Sequence, residues 1–219
     1  NKMTFGMTYA SSENFILVLS HDEVVHLKCS MINKMPGIYE DKFANLKVGY
    51  TFMMTHPGKK LLFMGQDFGQ FHEWDEKVAL DWYLTEEPLH ADLQKYYSDL
   101  LHLYRTYPAL YRLERDWHGF QWVNANDGDR SIFSYIRRDE TGKKNLLVIC
   151  NFTPMERADY RVGVPKRGNY TLVLDTAHGL YKRGDHAPVF RSVKKECDGQ
   201  PCSFAYPLPP YGAAIFRFS

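Results

Sequence analysis

The chain has 219 residues, of which 44% are hydrophobic and 15% aromatic, enough apolar material for one large domain or two smaller ones. Its net charge of +1, from 27 basic and 26 acidic residues, is mixed along the chain and leaves no basic block of the kind that nucleic acid or an anionic membrane surface selects. No apolar run approaches the roughly 20 residues of a membrane helix, and the opening residues carry no signal-peptide pattern, so a cytoplasmic protein is expected.

Phe15–Leu19 is a continuous apolar run, which predicts a strand buried on both faces. It runs directly into the polar cluster Ser20-His21-Asp22-Glu23. A helix is expected over 41–55, with Phe43, Leu46, Tyr50 and Met53 or Met54 on one face, stopped by Pro57-Gly58. Lys60–Gly65 is a second buried-strand candidate. A second helix is expected over 88–105, with Pro88 in its first turn and Leu89, Leu93, Leu100 and Tyr104 in register. Strand, helix, strand, helix is the pattern of a parallel sheet. Two such units close nothing by themselves, so residues 1–109 read as the end of a larger α/β barrel. The first residue is Asn rather than Met, which also suggests a piece of a longer chain.

After Tyr107-Pro108 the pattern changes. Short β-rich runs recur at 119–124, 131–138, 145–152, 170–175, 203–206 and 213–218. Asn126–Asp129 and Glu140–Lys143 read as hairpin turns. Residues 110–219 are therefore expected to form an antiparallel all-β domain, a sandwich. Free thiols are expected for Cys29, Cys150, Cys197 and Cys202. Cys197 and Cys202 flank Asp198-Gly199-Gln200-Pro201 and lie close enough to pair, the weaker alternative.

The chemistry concentrates in Leu19-Ser20-His21-Asp22-Glu23-Val24-Val25-His26. In an α/β barrel the C-terminal ends of the strands form the active-site face. A carboxylate there can stabilise an oxocarbenium-like transition state, and a His can donate to sugar hydroxyls. A solvated loop is the competing reading from the residues alone. A metal site is not expected: His21 and His26 are five apart, whereas the zinc-protease pattern needs four. No cofactor is expected.

This segment, begun by Glu13-Asn14-Phe15, resembles the fourth signature region of the α-amylase superfamily of glycoside hydrolases, in the version found in branching enzymes. Asn33–Gly37, Lys42–Leu46, His56–Gly65, Leu80-Asp81-Trp82, Glu87–His90, Asn151–Pro154 and Leu208-Pro209-Pro210 continue the match. The resemblance implies the last two βα units of a (β/α)8 barrel, strands seven and eight with their helices, followed by the all-β domain. It implies α-glucan (glycogen, amylose) as substrate, and transfer of a cut α-1,4 segment to a 6-hydroxyl by a retaining double displacement. The nucleophile Asp and the acid/base Glu of such enzymes lie on the fourth and fifth strands, so this chain alone is expected to be inactive. Asp22 matches the third carboxylate and is the catalytic candidate. His21 matches the neighbouring sugar-binding His. Glu23, which the resemblance does not make catalytic, and Trp74 complete the substrate-binding candidates; Glu23 could equally brace the loop, and Trp74 could equally pack it.

The match is imperfect. Leu27 stands where Gly is usual, Gln66-Asp67 replaces Asn-Glu, and Phe71-His72 precedes Glu73-Trp74 where Arg is common. Phe120 and Trp122 share a face if their segment is a strand; with Trp117 they are expected to pack the core between two sheets rather than to form a sugar platform. A glucan-binding module without catalysis and another superfamily enzyme remain the alternatives. A quarter of a barrel leaves sheet edges unpaired, so the piece is expected either to be held by self-association or to have been trimmed from an intact enzyme.

Overall fold

A computed structural model describes residues 2–12, 14–181 and 186–219; Glu13 of the signature segment lies outside them. A short helix α1 (Lys2–Phe5) precedes strand β1 (Ile16–Leu19). Helix α2 (Tyr39–Thr55), strand β2 (Lys59–Leu62) and helix α3 (Pro88–Thr106) follow. β1 and β2 pair in parallel, with Ile16 opposite Lys59 and Leu19 opposite Leu62. This is the expected crossover unit, as a two-stranded sheet and not a closed barrel.

Burial on both faces, expected for both strands, is not observed. Leu17, Leu19 and Leu62 pack against the core. Ile16 and Val18 remain 58% and 47% exposed, and Leu61 37%. The reason is geometric: among the described residues each strand has the other as its sole partner, and helix covers one face of the pair.

α2 starts where Gly37 turns with φ +91°, a conformation that favours glycine. A Cβ there would lie 2.5 Å from the Cβ of Asp41. The Asp41 carboxylate accepts from the Ile38 N–H at 3.2 Å, and Glu40 and Asp41 put negative charge at the helix N-terminus. The sequence suggests one apolar face, yet α2 is buried on several. Its hydroxyls make this possible: Thr51 Oγ1 bonds the Tyr96 hydroxyl of α3 at 2.6 Å. Thr55 Oγ1 bonds the Tyr135 hydroxyl at 2.5 Å. These four hydroxyls are thereby partnered in the interior. Pro88 opens α3, as expected.

The second half is all-β and antiparallel. β3 (Phe120–Asp127), β4 (Ile132–Arg137), β5 (Asn145–Asn151), β6 (Arg157–Val164), β7 (Asn169–Asp175), β8 (Gly179–Leu180), β9 (Val189–Arg191), β10 (Cys202–Leu208) and β11 (Ala213–Phe218) follow in order. The large sheet runs β3-β4-β5-β11-β7-β8, with β9 also on β7; β10 and β6 form a small facing sheet. Between the sheets lie Ile136, Leu147, Ile149, Leu172 and Phe216 with Tyr160, Val162, Phe204 and Tyr206. β6, β8 and β9 were not expected. In β6 the alternation Tyr160, Val162, Val164 is masked by Arg157, Asp159 and Arg161.

The other face of the large sheet meets the helices. Tyr135, Val148, Cys150 and Ile215 share one core with Tyr50, Met54, Leu93 and Leu100, so apolar packing runs across residue 110. Phe120 stacks on Tyr135 at 5.2 Å, and Trp122 meets Tyr135 edge-on at 5.5 Å; both pack a core as expected, but on the helix-facing side of the large sheet rather than between the two sheets. Trp117 departs from it: it is 71% exposed and lies against His118 at 3.7 Å. All four cysteines are free. No described helix is long and apolar enough to cross a membrane.

Candidate functional site

Two loops leave the C-terminal ends of the parallel pair, which are in register at Leu19 and Leu62. In the first, Ser20 continues from β1 in extended backbone, and its Oγ accepts from the Asp22 N–H at 3.3 Å. This starts a single 3-10 turn, His21–Glu23, closed by Val24 N–H to His21 O at 2.9 Å. Val24 and Val25 are buried and anchor the turn. The chain then doubles back through three left-handed non-glycine residues, His26 (φ +57°), Leu27 (+64°) and Cys29 (+65°). Such conformations persist where surrounding contacts impose them.

The second loop follows β2. Gly65 takes φ +76°, and a Cβ there would sit 3.1 Å from the Cβ of Gln70. Gln70 organises the segment: its N–H donates to Gly65 O at 2.9 Å, and its Oε1 accepts from the Asp81 N–H at 2.9 Å. Asp81 in turn pairs with His72 Nδ1 at 2.7 Å. Two ties join the loops. Trp74 N–H donates to Val24 O at 3.1 Å. The Glu73 carboxylate accepts from Leu27 N–H at 3.0 Å and from Cys29 N–H at 2.5 Å.

Between the loops lies a cleft of about 600 Å³, lined by His21, His26, His72, Glu73, Trp74 and Asp81 among others. That size is in the range of small-molecule sites. Its lining mixes imidazoles, carboxylates and one indole, a composition able to hydrogen-bond hydroxyl-rich ligands. A second cavity, of about 500 Å³, is mostly apolar; Leu17, Leu19, Met31, Leu46, Phe52 and Met53 are among its walls. Among the described residues no group of three His, Cys, Asp or Glu could hold a metal ion.

Of the residues singled out from sequence, His21 and Trp74 lie in the wall of the cleft. Their rings meet edge-on at 6.4 Å, and Trp74 also packs on Phe63 at 5.1 Å. Asp22 stands beside the cleft lining, its side chain 72% exposed and 3.2 Å from His21 Nε2. Glu23 is exposed and makes no side-chain hydrogen bond or ion pair among the described residues. The carboxylate that braces the loop is Glu73, 46 positions after Leu27. Its position beside Trp74, in a stretch where the match is imperfect, was the only sequence signal. Asp67 faces α3, where its Oδ2 accepts from Gln94 at 3.2 Å. Trp82 lies over Phe68 at 5.4 Å and is outside the cleft lining.

Residues 122–219 match the family model of the alpha amylase C-terminal all-beta domain. Over 99% of its length the chain is 55% identical to the 1,4-alpha-glucan branching enzyme GlgB of Butyrivibrio fibrisolvens, covering 34% of that protein. It is 52% identical over 80% of its length to the GlgB of Aquifex aeolicus (strain VF5), covering 28% of it. The chain thus spans about a third of the curated relatives it matches. In fold, all of it superimposes on 39% of the catalytic module of the multi-modular glycogen-degrading pneumococcal virulence factor SpuA, at a TM-score of 0.66 and 14% identity.

Proposed function

We propose, from a chain 55% identical over almost its whole length to a 1,4-α-glucan branching enzyme of which it spans about a third, that it completes a catalytic (β/α)8 barrel and carries the β-sandwich that follows. In this reading residues 1–109 are the last two βα units and residues 110–219 the C-terminal domain. β1 and β2 are then strands seven and eight. Their exposed face at Ile16, Val18 and Leu61 is where the remaining strands pack.

The carrying observation is the placement of His21-Asp22 on the turn that ends a parallel strand, beside a cleft, in a chain 55% identical to a branching enzyme over almost its whole length. In such a barrel the strand C-termini form the reaction face. The reaction cuts an α-1,4 linkage, holds the segment as a covalent glucosyl-enzyme and passes it to a 6-hydroxyl of another glucan. Two inverting displacements retain the α configuration. Asp22 accepts hydrogen bonds from the hydroxyls of the distorted sugar and stabilises its positive charge electrostatically. His21 donates to a neighbouring hydroxyl. Glu23 and Trp74 contact glucan further out, Trp74 from the wall of the cleft. The nucleophile and the acid/base come from earlier strands, so the chain alone is inert.

Branching of amylose, followed by loss of iodine colour, tests this. The full-length enzyme that carries this chain is expected to be active, the chain alone inactive, and Asp22→Asn to lower kcat by roughly 10²–10³-fold. Activity of the isolated chain, or an unimpaired Asp22→Asn enzyme, would overturn the assignment.

A further inference from the structure

We infer that Glu73 is a positioning residue for Asp22, acting through the loop 24–29; this rests on the reading of Asp22 given above. The two oxygens of one carboxylate take the N–H groups of Leu27 and Cys29, at 3.0 and 2.5 Å. His26, Leu27 and Cys29 are all left-handed, and backbone turned this way directs successive N–H groups into a concavity that suits an anion. Here the anion comes from the opposite loop. Charge-assisted bonds of this kind are the stronger ones, and they hold a non-glycine backbone where it would not rest unaided.

The grip reaches the carboxylate by a short path. Leu27 and Cys29 bracket Lys28, whose Nζ donates to the backbone carbonyl of Asp22 at 2.8 Å. Trp74 N–H, next to Glu73, holds Val24 O at 3.1 Å. Glu73 therefore fixes the segment after Asp22, and Lys28 returns that order to Asp22 itself. Leu27 is the informative position. The residue is 95% exposed, so it packs little, while its backbone is strained at φ +64°. A glycine would adopt that φ without strain; Leu27 leaves the conformation dependent on Glu73.

The experiment uses the full-length enzyme that carries this chain, with Glu73→Ala, Glu73→Gln, Leu27→Gly, Leu27→Gly with Glu73→Ala, and Asp22→Asn. Glu73→Ala is expected to lower kcat roughly 10–100-fold, the scale of a misplacement of about 1 Å, with KM little changed. The peptide spanning 20–30 is expected to exchange its amides faster, while the rest of the barrel stays protected. Glu73→Gln, isosteric and still an acceptor through one oxygen, falls between. The discriminating result is rescue: Leu27→Gly should recover at least part of the activity lost in Glu73→Ala, which a generally destabilised enzyme would not show. A Glu73→Ala enzyme with near-parental kcat overturns the inference, even if peptide 20–30 is deprotected and Asp22→Asn is crippling. An equal loss with and without Leu27→Gly also overturns it. A harmless Asp22→Asn removes the reading on which it rests, whatever Glu73 does.

Discussion

Arg137 offers the sharpest test of how the two halves hold together. It lies on β4, fully buried, and its guanidinium donates to three main-chain carbonyls: Thr55 at 2.6 Å, Gly119 at 3.2 Å and Leu110 at 3.3 Å. Thr55 ends α2, so its carbonyl belongs to the set a helix leaves without an internal partner, at the negative end of the helix dipole. Burial pulls the Arg137 guanidinium down to about 10, opposed by Tyr135, Glu114 and Tyr104; it remains charged at pH 7. Arg137→Met keeps much of the alkyl stem but leaves three buried acceptors without a donor, at about 1–3 kcal/mol each. Relief of the guanidinium's desolvation, worth several kcal/mol, offsets part of this. The net expectation is a loss of about 3 kcal/mol. For a chain of this size that lowers Tm by about 6–12 °C, measured by far-UV circular dichroism at pH 7. Arg137→Lys, which keeps the charge without the planar fork, should fall between. An Arg137→Met chain within about 1 kcal/mol of the parent would refute the claim that these bonds staple β4 to α2 and to the connection between the halves.

Other outcomes follow from the same packing. Burial, reinforced by Lys60 and Arg137, lowers His56 to about 4, although its Nδ1–H donates to Pro57 O. The unfolded chain therefore binds this proton first, and stability is lost as pH falls from about 6.5 to 4, by up to about 3 kcal/mol; urea midpoints at pH 7 and 4.5 should show it, and His56→Gln should flatten the dependence. Cys29 is exposed, whereas Cys150 and Cys202 are buried and burial pushes the Cys150 thiol up; a maleimide should label Cys29 in the folded chain, and Cys150 only on unfolding. With Ile16, Val18 and Leu61 on an open face, the isolated chain should self-associate. Size-exclusion chromatography should show this and Val18→Glu should reduce it; a well-behaved parental monomer would count against it.

How far the sequence reached depended on whether a signal was local. Pro88 before a periodic apolar run marked α3, and Pro57-Gly58 marked the end of α2, because both act through the backbone of adjacent residues. The β-rich runs of β4 and β5 and the turns beside them were legible for the same reason. His21-Asp22 was legible as a polar cluster after an apolar run, and the chemistry proposed for it rests on the resemblance. Strand β6 was hidden because its identity as a strand comes from pairing with β10, nearly 40 residues on, as Val164 opposite Cys202 shows, and not from its own charged composition.

What only the tertiary structure decided was partnership. The sequence marks Thr51 and Thr55 as ordinary helix residues; packing of α2 between α3 and the large sheet makes them buried links to Tyr96 and Tyr135. The sequence shows Glu23 and Glu73 as two acidic residues near a motif. The fold leaves Glu23 in solvent and brings Glu73 under Leu27 and Cys29. Composition and periodicity set which segments can form, since these depend on short-range sterics and burial. Which carboxylate grips which amide depends on two loops meeting at the ends of paired strands, a contact across some 45 residues that no local pattern encodes.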